Sequence, residues 1–125
     1  METDKMVSIW VGDFPSIEEL ESYVALTYDE EGEIVVSDFY KDFRIDMDDI
    51  DDTLIEKAVL ESSSDDLLIL LKGVSYEQKI MDEIVQFDEQ SIVPSNTVLL
   101  QFNFHYEGNV TTSNQLNFVA TVPYR

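Results

Sequence analysis

The last 35 residues of the chain carry almost no charge, and their apolar residues alternate with polar ones along two segments. Only Glu107 and Arg125 are ionised there, against 26 acids and six bases in residues 1–90. Regular alternation is typical of β-strands that bury one face. Residues 97–106 and 116–122 therefore predict an antiparallel hairpin with one apolar face and one mostly polar face.

The hairpin is too small to be stable alone, so the sequence before it must supply helices that cover its apolar face. Residues 6–11 alternate as a further strand. Ser16 and Ser37 are typical helix N-caps and predict helices over about 17–26 and 38–43. Residues 52–60 fit a helix and a strand equally well.

Two more segments show the periodicity of helices. Residues 66–72 form a short apolar run that ends at Gly73, and residues 62–66 before it resemble a loop with a cap. Residues 76–87 carry an apolar stripe with helical spacing. Together these segments predict an α+β fold, a single domain over residues 1–125. Its helices are packed on one side of a small, mostly antiparallel sheet with a C-terminal hairpin.

Composition excludes several classes of protein. The chain has 125 residues, of which 44% are hydrophobic, so it can build one real core. It has no cysteine, which excludes disulfides, thiolate catalysis and thiolate metal sites. No segment is apolar enough to span a membrane, and no secretory signal is visible, so we expect a cytoplasmic protein without a membrane partner.

The net charge of −20 predicts the chemistry of a partner. A domain with this charge repels nucleic acid and anionic membranes and attracts basic proteins. Proteins that handle DNA or RNA are often basic because they neutralise phosphates with Lys and Arg. The charge therefore favours a soluble acidic binding protein, with simple solubility as the alternative explanation.

No motif for catalysis or for a cofactor is present. Residues 46–52 hold five aspartates, but as a calcium loop the segment has Ile50, Asp51 and Lys57 at three diagnostic positions, which leaves only weak cation binding open. His105 is the single histidine and has no nucleophile motif beside it. Carboxylate pairs are uninformative in a chain with 27 acids. We predict no cofactor, no metal and no enzyme activity.

Three strings together resemble one known family. They are VSIWVGDF at residues 7–14, SIEEL at 16–20 with Tyr23, and YDEEG at 28–32 leading into SDFYKDF at 37–43. This pattern looks like the bacterial immunity protein 22 family and covers roughly residues 6–75. The resemblance implies an α+β protein that is encoded beside a polymorphic toxin and neutralises it.

The chain departs from that family pattern at two positions. Asp13 stands where Asn is common, which adds charge at the end of a strand, and Arg44 stands where Gly is common, which removes a flexible residue. Both changes are compatible with the fold and bear on the choice of partner. The family does not specify which toxin is bound, since members of one immunity family face different toxins.

The resemblance and the charge lead to the same hypothesis: an immunity protein that binds a cognate toxin, plausibly a basic nuclease, and inhibits it stoichiometrically without catalysis. It would be a monomer or a weak homodimer and would not bind nucleic acid directly. An acidic nucleic-acid mimic that inhibits a DNA- or RNA-processing enzyme is the alternative, and a hydrolase or metal enzyme is a third hypothesis.

We predict structural roles for Trp10, Gly12, Phe39 and Phe43. The predicted toxin-binding residues are Tyr28, Asp29, Glu30, Glu31, Tyr40, Asp48, Asp49, Asp51 and Asp52.

Overall fold

A computed structural model of the protein describes residues 2–46, 50–113 and 115–125, and for residues 2–4 and 52 it describes the backbone alone. The strands are β1 (Glu2–Gly12), β2 (Thr27–Tyr28), β3 (Ile34–Val35), β4 (Ile55–Asp66), β5 (Ser91–Phe104), β6 (Thr112–Ser113) and β7 (Leu116–Pro123). The helices are α1 (Ile17–Val24), α2 (Asp38–Asp42), α3 (Leu67–Leu70) and α4 (Glu77–Gln86), and a 3₁₀ turn covers Asp52–Leu54.

The fold is built around β1, which lies in the middle of a five-stranded antiparallel sheet. The strand order is β4-β5-β1-β7-β6, so β1 pairs with β5 on one side and with β7 on the other. Val7, for example, lies opposite Phe102 of β5 and Val122 of β7. The predicted α+β class and the mostly antiparallel sheet are confirmed.

The hairpin at the C-terminus differs from the predicted one. A hairpin does close the chain, but it joins β6 to β7, with Ser113 opposite Leu116. The two long alternating segments, β5 and β7, do not pair with each other because β1 lies between them. Alternation identified both strands correctly, but it carries no information about which strand is the neighbour.

Helices cover both faces of the sheet, so the prediction that they lie on one side was wrong. Val7, Ile9 and Val11 of β1 face a core that contains the apolar residues of α3 and α4. Trp10 points the other way, into a second core with residues of α1 and α2. The face of β5 that was predicted to be mostly polar carries Leu99, and both Leu99 and Gln101 are fully buried.

An irregularity in the pairing of β1 with β5 explains a further difference, because residues 3–6 of β1 lie opposite the single residue Asn103 of β5. Phe102 lies in the first core, whereas Phe104 and Tyr106, predicted on the same face as Phe102, lie in the second. Between them Asn103 has a left-handed backbone with φ of 57°. Asn tolerates this conformation better than most residues, and the left-handed backbone at this position turns the side chains that follow it to the opposite face.

The predicted N-caps of the first two helices are confirmed. The Ser16 hydroxyl accepts a hydrogen bond from the backbone N–H of Glu19, and the Ser37 hydroxyl accepts one from Tyr40. Helix α1 ends at Val24, two residues before the predicted end. Residues 52–60 proved to be mostly strand, and residues 62–66, predicted as a loop, continue β4 until Asp66 caps α3.

Trp10 is the centre of the second core. It is fully buried, and the centroid of its ring lies 5.0 Å from that of Phe39, 6.0 Å from Phe43 and 5.3 Å from Phe118. Edge-to-face packing of this kind stabilises aromatic clusters beyond the area they bury. The predicted structural roles of Trp10, Phe39 and Phe43 are confirmed.

At two positions, Arg44 and Gly12, the local backbone geometry favours glycine. Arg44 has a φ of 57°, a left-handed conformation that glycine adopts most readily. This agrees with the glycine expected there from the family pattern. At Gly12 the chain passes so close to β7 that an added Cβ would overlap the carbonyl oxygen of Gln115 and approach Leu116.

We expect Gly12→Ala to lower the free energy of unfolding by about 1–3 kcal/mol, because the methyl group would push β1 away from the start of β7. Urea unfolding of the variant and the parent protein measures this difference. Ser22→Ala, on the exposed side of α1, is the control and should stay within about 0.5 kcal/mol. Equal stability of Gly12→Ala and the parent would show that the two strands separate here without cost.

A hydrogen bond joins α1 to α2 within the second core. The Tyr23 hydroxyl donates to Oδ2 of Asp42 at 2.6 Å. Burial, followed by the hydrogen bond to the Asp42 carboxylate, raises the pKa of Tyr23 well above its ordinary value of 10.0. Burial also raises the pKa of Tyr106, whose hydroxyl donates to the carbonyl oxygens of Phe43 and Val110.

These shifts predict a loss of stability in alkali. A tyrosine with a raised pKa in the folded state stabilises the fold fully below the unfolded pKa of about 10, and this contribution is lost as the pH rises above that value. Urea midpoints measured from pH 7 to pH 11 should therefore fall above about pH 10. In Tyr23→Phe the fall should be shallower, with Tyr106 responsible for the remainder. An identical pH profile for parent and variant would contradict the role of Tyr23.

Candidate partner-binding surface

The β2–β3 hairpin presents the most exposed aromatic side chain among the described residues of segment 1–90. Tyr28, paired across the hairpin with Ile34, is 70% exposed, and Ile34 and Val35 are also exposed. The turn at the tip carries Asp29, Glu30, Glu31 and Glu33, all exposed. Apolar side chains exposed beneath a charged tip are typical of a surface that contacts another protein.

The hairpin turn is held in one conformation by Asp29. Its Oδ1 atom accepts hydrogen bonds from the backbone N–H groups of Glu31 at 2.9 Å and Glu33 at 3.0 Å. Gly32 completes the turn with φ of 82°. Asp29 therefore shapes the turn, while Glu30 and Glu31 project their charges into solvent.

Asp51 begins the 3₁₀ turn that leads into β4. Its carboxylate accepts hydrogen bonds from the Thr53 hydroxyl and the Thr53 N–H, and these bonds, in that order, lower the pKa of Asp51. The carboxylate is therefore ionised at neutral pH. The side chain of Gln101 donates to the carbonyl oxygen of Asp51 at 2.9 Å and ties the turn to β5.

The remaining predicted site residues have different outcomes. Tyr40 is only 1% exposed and packs on Phe39, so the structure contradicts its prediction as an anchor that inserts into a partner. The spacing of Phe39, Tyr40 and Phe43 after the Ser37 cap is the signal that could have identified a buried helical face. Asp48 and Asp49 lie outside the described residues, and the side chain of Asp52 is not described.

The sequence analysis missed a groove between α1 and β4. We call it the α1 groove; its volume is about 290 Å³. Its lining is as polar as it is apolar: Glu21 and Lys57 contribute charged groups, and the apolar walls come from Val24, Ala25, Leu26 and Ile55. Tyr40 lines the same groove, so its contribution there is a wall rather than a projecting ring. The chain enters the β2–β3 hairpin directly from Leu26.

A second depression, which we call the tyrosine pocket, lies on the opposite face of β4. It has a volume of about 210 Å³, and its walls include Glu56, Tyr76, Phe102 and Tyr124. The ring centroids of Tyr76 and Tyr124 are 4.8 Å apart, and those of Phe102 and Tyr124 are 4.9 Å apart. The guanidinium of Arg125 lies 5.4 Å from the Tyr124 ring centroid, so the Tyr124 ring already attracts a cation.

Tyr76 holds an unusual conformation at the mouth of this pocket. It is 52% exposed, and its backbone is left-handed, with φ of 59°. It occupies the N-cap position of α4 without a side-chain cap. A bulky residue in this conformation is strained, and such strain is concentrated at functional sites. Nothing in the local sequence predicts it, because Ser75 and Tyr76 resemble an ordinary helix start.

We expect Tyr76→Gly to be more stable than Tyr76→Ala by about 1 kcal/mol, since both variants lack the ring but only glycine adopts the left-handed backbone without strain. Urea unfolding of both variants beside the parent measures the difference. If Tyr76→Ala were as stable as Tyr76→Gly, Tyr76 would not be held in the left-handed conformation.

Within the described ranges, no three His, Asp or Glu side chains converge in a way that could hold a metal ion. His105 lies partly buried in the segment that follows β5. None of the described helices is long and apolar enough to cross a membrane. The surface thus consists of a rigid acidic hairpin, an ionised turn and two depressions that flank β4, an arrangement suited to binding a macromolecule.

Comparison with known proteins gives this binding surface a context. The fold and the candidate surface define a small α+β domain without a metal cluster in its described part. Residues 7–125 match the family model described as immunity protein 22. The chain therefore belongs to the immunity protein 22 family, which supports an immunity role and implies a cognate toxin as its partner. No curated protein and no solved structure gives a match.

Proposed function

We propose that this protein neutralises one cognate polymorphic toxin by binding it stoichiometrically, without catalysis. The observation that carries the proposal is the family match, which extends over residues 7–125 and so includes both cores and the candidate surface. The protein would act in the cytoplasm as a monomer or a weak homodimer. A binding role needs a rigid surface rather than reactive groups, and the ordered turn at Asp29 supplies one.

The proposed toxin is basic, and a nuclease fits this description best. A nuclease gathers Lys and Arg to bind phosphates, and a chain with net charge −20 is attracted to such a surface. Charge complementarity between two proteins raises the association rate and disfavours wrong partners. The exposed apolar residues of the β2–β3 hairpin support a protein surface as the partner, because apolar contacts slow dissociation once the charges have met.

The toxin-binding residues that we propose are those exposed on the hairpin and at the turn before β4. Tyr28 would be the aromatic anchor, and Glu30, Glu31 and Asp51 would supply charge, with Asp29 holding the turn. Asp48, Asp49 and Asp52 belong to the same proposal on the basis of sequence alone.

Co-expression with the toxin encoded by the neighbouring gene tests the function. Cells that produce the toxin alone should stop growing, and cells that also produce this protein should grow normally. The purified pair should form a complex in which one copy of each protein is present. Growth arrest despite abundant folded protein would contradict the proposal, and so would protection at amounts far below those of the toxin, which would indicate catalysis.

The charges of the β2–β3 hairpin should raise the rate at which the protein associates with the toxin. We expect the double variant Glu30→Gln with Glu31→Gln to lower the association rate about threefold or more at low salt, because steering by charge is lost. The effect should shrink near 0.15 M salt, where the screening length is about 8 Å. Surface plasmon resonance with the toxin at both salt concentrations measures it.

The matched control removes the same amount of charge elsewhere. Asp82→Asn with Glu107→Gln changes two exposed acids outside the candidate surface. Its association rate should change less than that of the hairpin variant. Equal slowing in both variants would show that the overall charge, and not the hairpin, steers the toxin.

A further inference from the structure

We propose that the toxin adds an extended segment to the free edge of β4, as a sixth strand of the sheet. This inference rests on the proposed toxin-binding function and names the place and manner of contact. The occupant is a strand of the toxin with basic side chains on one face and aliphatic side chains on the other. Three features of β4 support it: an unpaired edge, a depression on each face and the charge around them.

The first feature is the open edge itself. Strand β4 is the end strand of the sheet, and residues 55–59 pair regularly with residues 97–101 of β5. No strand in the described part of the chain pairs with the other side of β4. Unpaired edges of this kind are templates for an added strand, and proteins usually block them.

The opposite edge of the sheet, at β7 and β6, is blocked, unlike the edge at β4. Strand β6 covers the start of β7, where Thr112 lies opposite Asn117. The register of β7 against β1 is interrupted between Ala120 and Phe118, and Pro123 ends the strand. Bulges and prolines are known means of preventing edge pairing. The regular part of β4 has neither.

The ladder shows which backbone groups of β4 are available. The backbone N–H of Tyr124 donates to the carbonyl oxygen of Lys5 at 2.9 Å, so the carbonyl group of Lys5 points toward β7. The N–H of Lys5 instead donates to Oδ1 of Asn103, and from Met6 onward the pairing of β1 with β7 is regular as far as Ile9, with every carbonyl group in its strand position. Because these groups alternate along a strand, Ser8 turns its own toward β5 and its partner there, Gln101.

The same alternation of backbone groups along β5 shows which residues of β4 face the open edge. Leu100, next to Gln101, turns its backbone groups toward β4, where its partner is Glu56. Glu56 therefore hydrogen-bonds within the sheet, and its neighbours turn outward. The residues whose N–H and C=O groups face the open edge are Ile55, Lys57 and Val59.

The second feature is the pair of depressions. The α1 groove lies on the face of Ile55 and Lys57, and the tyrosine pocket includes Glu56 on the other face. Side chains of a strand alternate between faces, so a strand beside β4 would send successive side chains into the two depressions. Backbone hydrogen bonds along an edge with pockets for alternate side chains define recognition by strand addition.

The third feature is chemistry, which selects the occupant. The apolar walls of the α1 groove, formed by Val24, Leu26 and Ile55, suit an aliphatic side chain. The tyrosine pocket combines aromatic rings with the Glu56 carboxylate, and this combination suits Lys or Arg. A second copy of this chain also has a net charge of −20 and would be repelled from this edge. A basic strand of the toxin therefore fits the edge better than a second copy does.

A proline substitution tests the edge directly. Lys57→Pro removes an N–H that faces outward and so breaks no bond to β5, but it prevents pairing with a new strand. We expect its affinity for the neighbouring-gene toxin to fall at least tenfold. The control, Ser62→Pro, lies where β4 and β5 are out of register, and its affinity should stay within about twofold. Circular dichroism and thermal unfolding establish that both variants are folded.

Hydrogen exchange on the unmodified protein gives a second test that does not depend on folding of a variant. In the toxin complex, the amides of Lys57 and Val59 should exchange at least tenfold more slowly than in the free protein. Unchanged exchange at both amides, or unchanged affinity of folded Lys57→Pro, would overturn the inference while leaving the immunity function intact.

Two other results separate the possible failures. If the parent protein neither binds the toxin nor protects cells from it, the proposed function itself fails. If sedimentation velocity at micromolar concentration shows a dimer of the parent that Lys57→Pro abolishes, the edge pairs with a second copy, and the toxin is not its occupant.

Discussion

The structure depends on burial of β1 from both sides. Val7, Ile9 and Val11 face one core, Trp10 faces the other, and the backbone between them pairs with β5 and β7. Both neighbours come from the end of the chain, so the sheet forms only when the N-terminal strand inserts between two C-terminal strands. The near absence of charge in residues 91–125 follows from this requirement, since these residues supply the centre of the sheet.

Most of the acids consequently lie outside the three central strands of the sheet, β5, β1 and β7. The β2–β3 hairpin and the turn before β4 carry several of them, and both are stiffened by carboxylates that accept backbone hydrogen bonds, Asp29 in the hairpin and Asp51 in the turn. A stiff charged surface loses little conformational entropy on binding, which favours affinity. Tyr76, with its left-handed backbone, lines the tyrosine pocket next to the open edge of β4.

Local features were predictable from the sequence, and long-range ones were not. The caps at Ser16 and Ser37 were found because a cap hydrogen bond joins residues only three apart. The pairing of β1 with β5 joins residues about 90 apart, and alternation does not specify a partner. The left-handed backbone at Asn103 places Phe104 on the other face, an effect that no periodicity reveals.

The same division holds for the candidate surface. The exposed position of Tyr28 follows from its place in a charged turn, whereas burial of Tyr40 depends on the packing of α2 against Trp10. The groove and the pocket beside β4 each combine segments that are distant in sequence, for example Ile55 with Leu26 and Tyr76 with Tyr124. Sequence analysis indicated an acidic surface and its family, while the structure was needed to locate an edge and its flanking depressions.

The central claim is that this protein has one specific partner, and a pull-down from nuclease-treated lysate of its own source cells tests it most directly. The tagged protein is exposed to lysate at low salt and again near 0.15 M salt, where exposed charge pairs are largely screened. We expect one dominant basic protein, encoded by the adjacent gene, to remain bound at both salt concentrations. Recovery of many basic proteins at low salt and none at the higher salt would show that the acidity acts nonspecifically and would contradict the account.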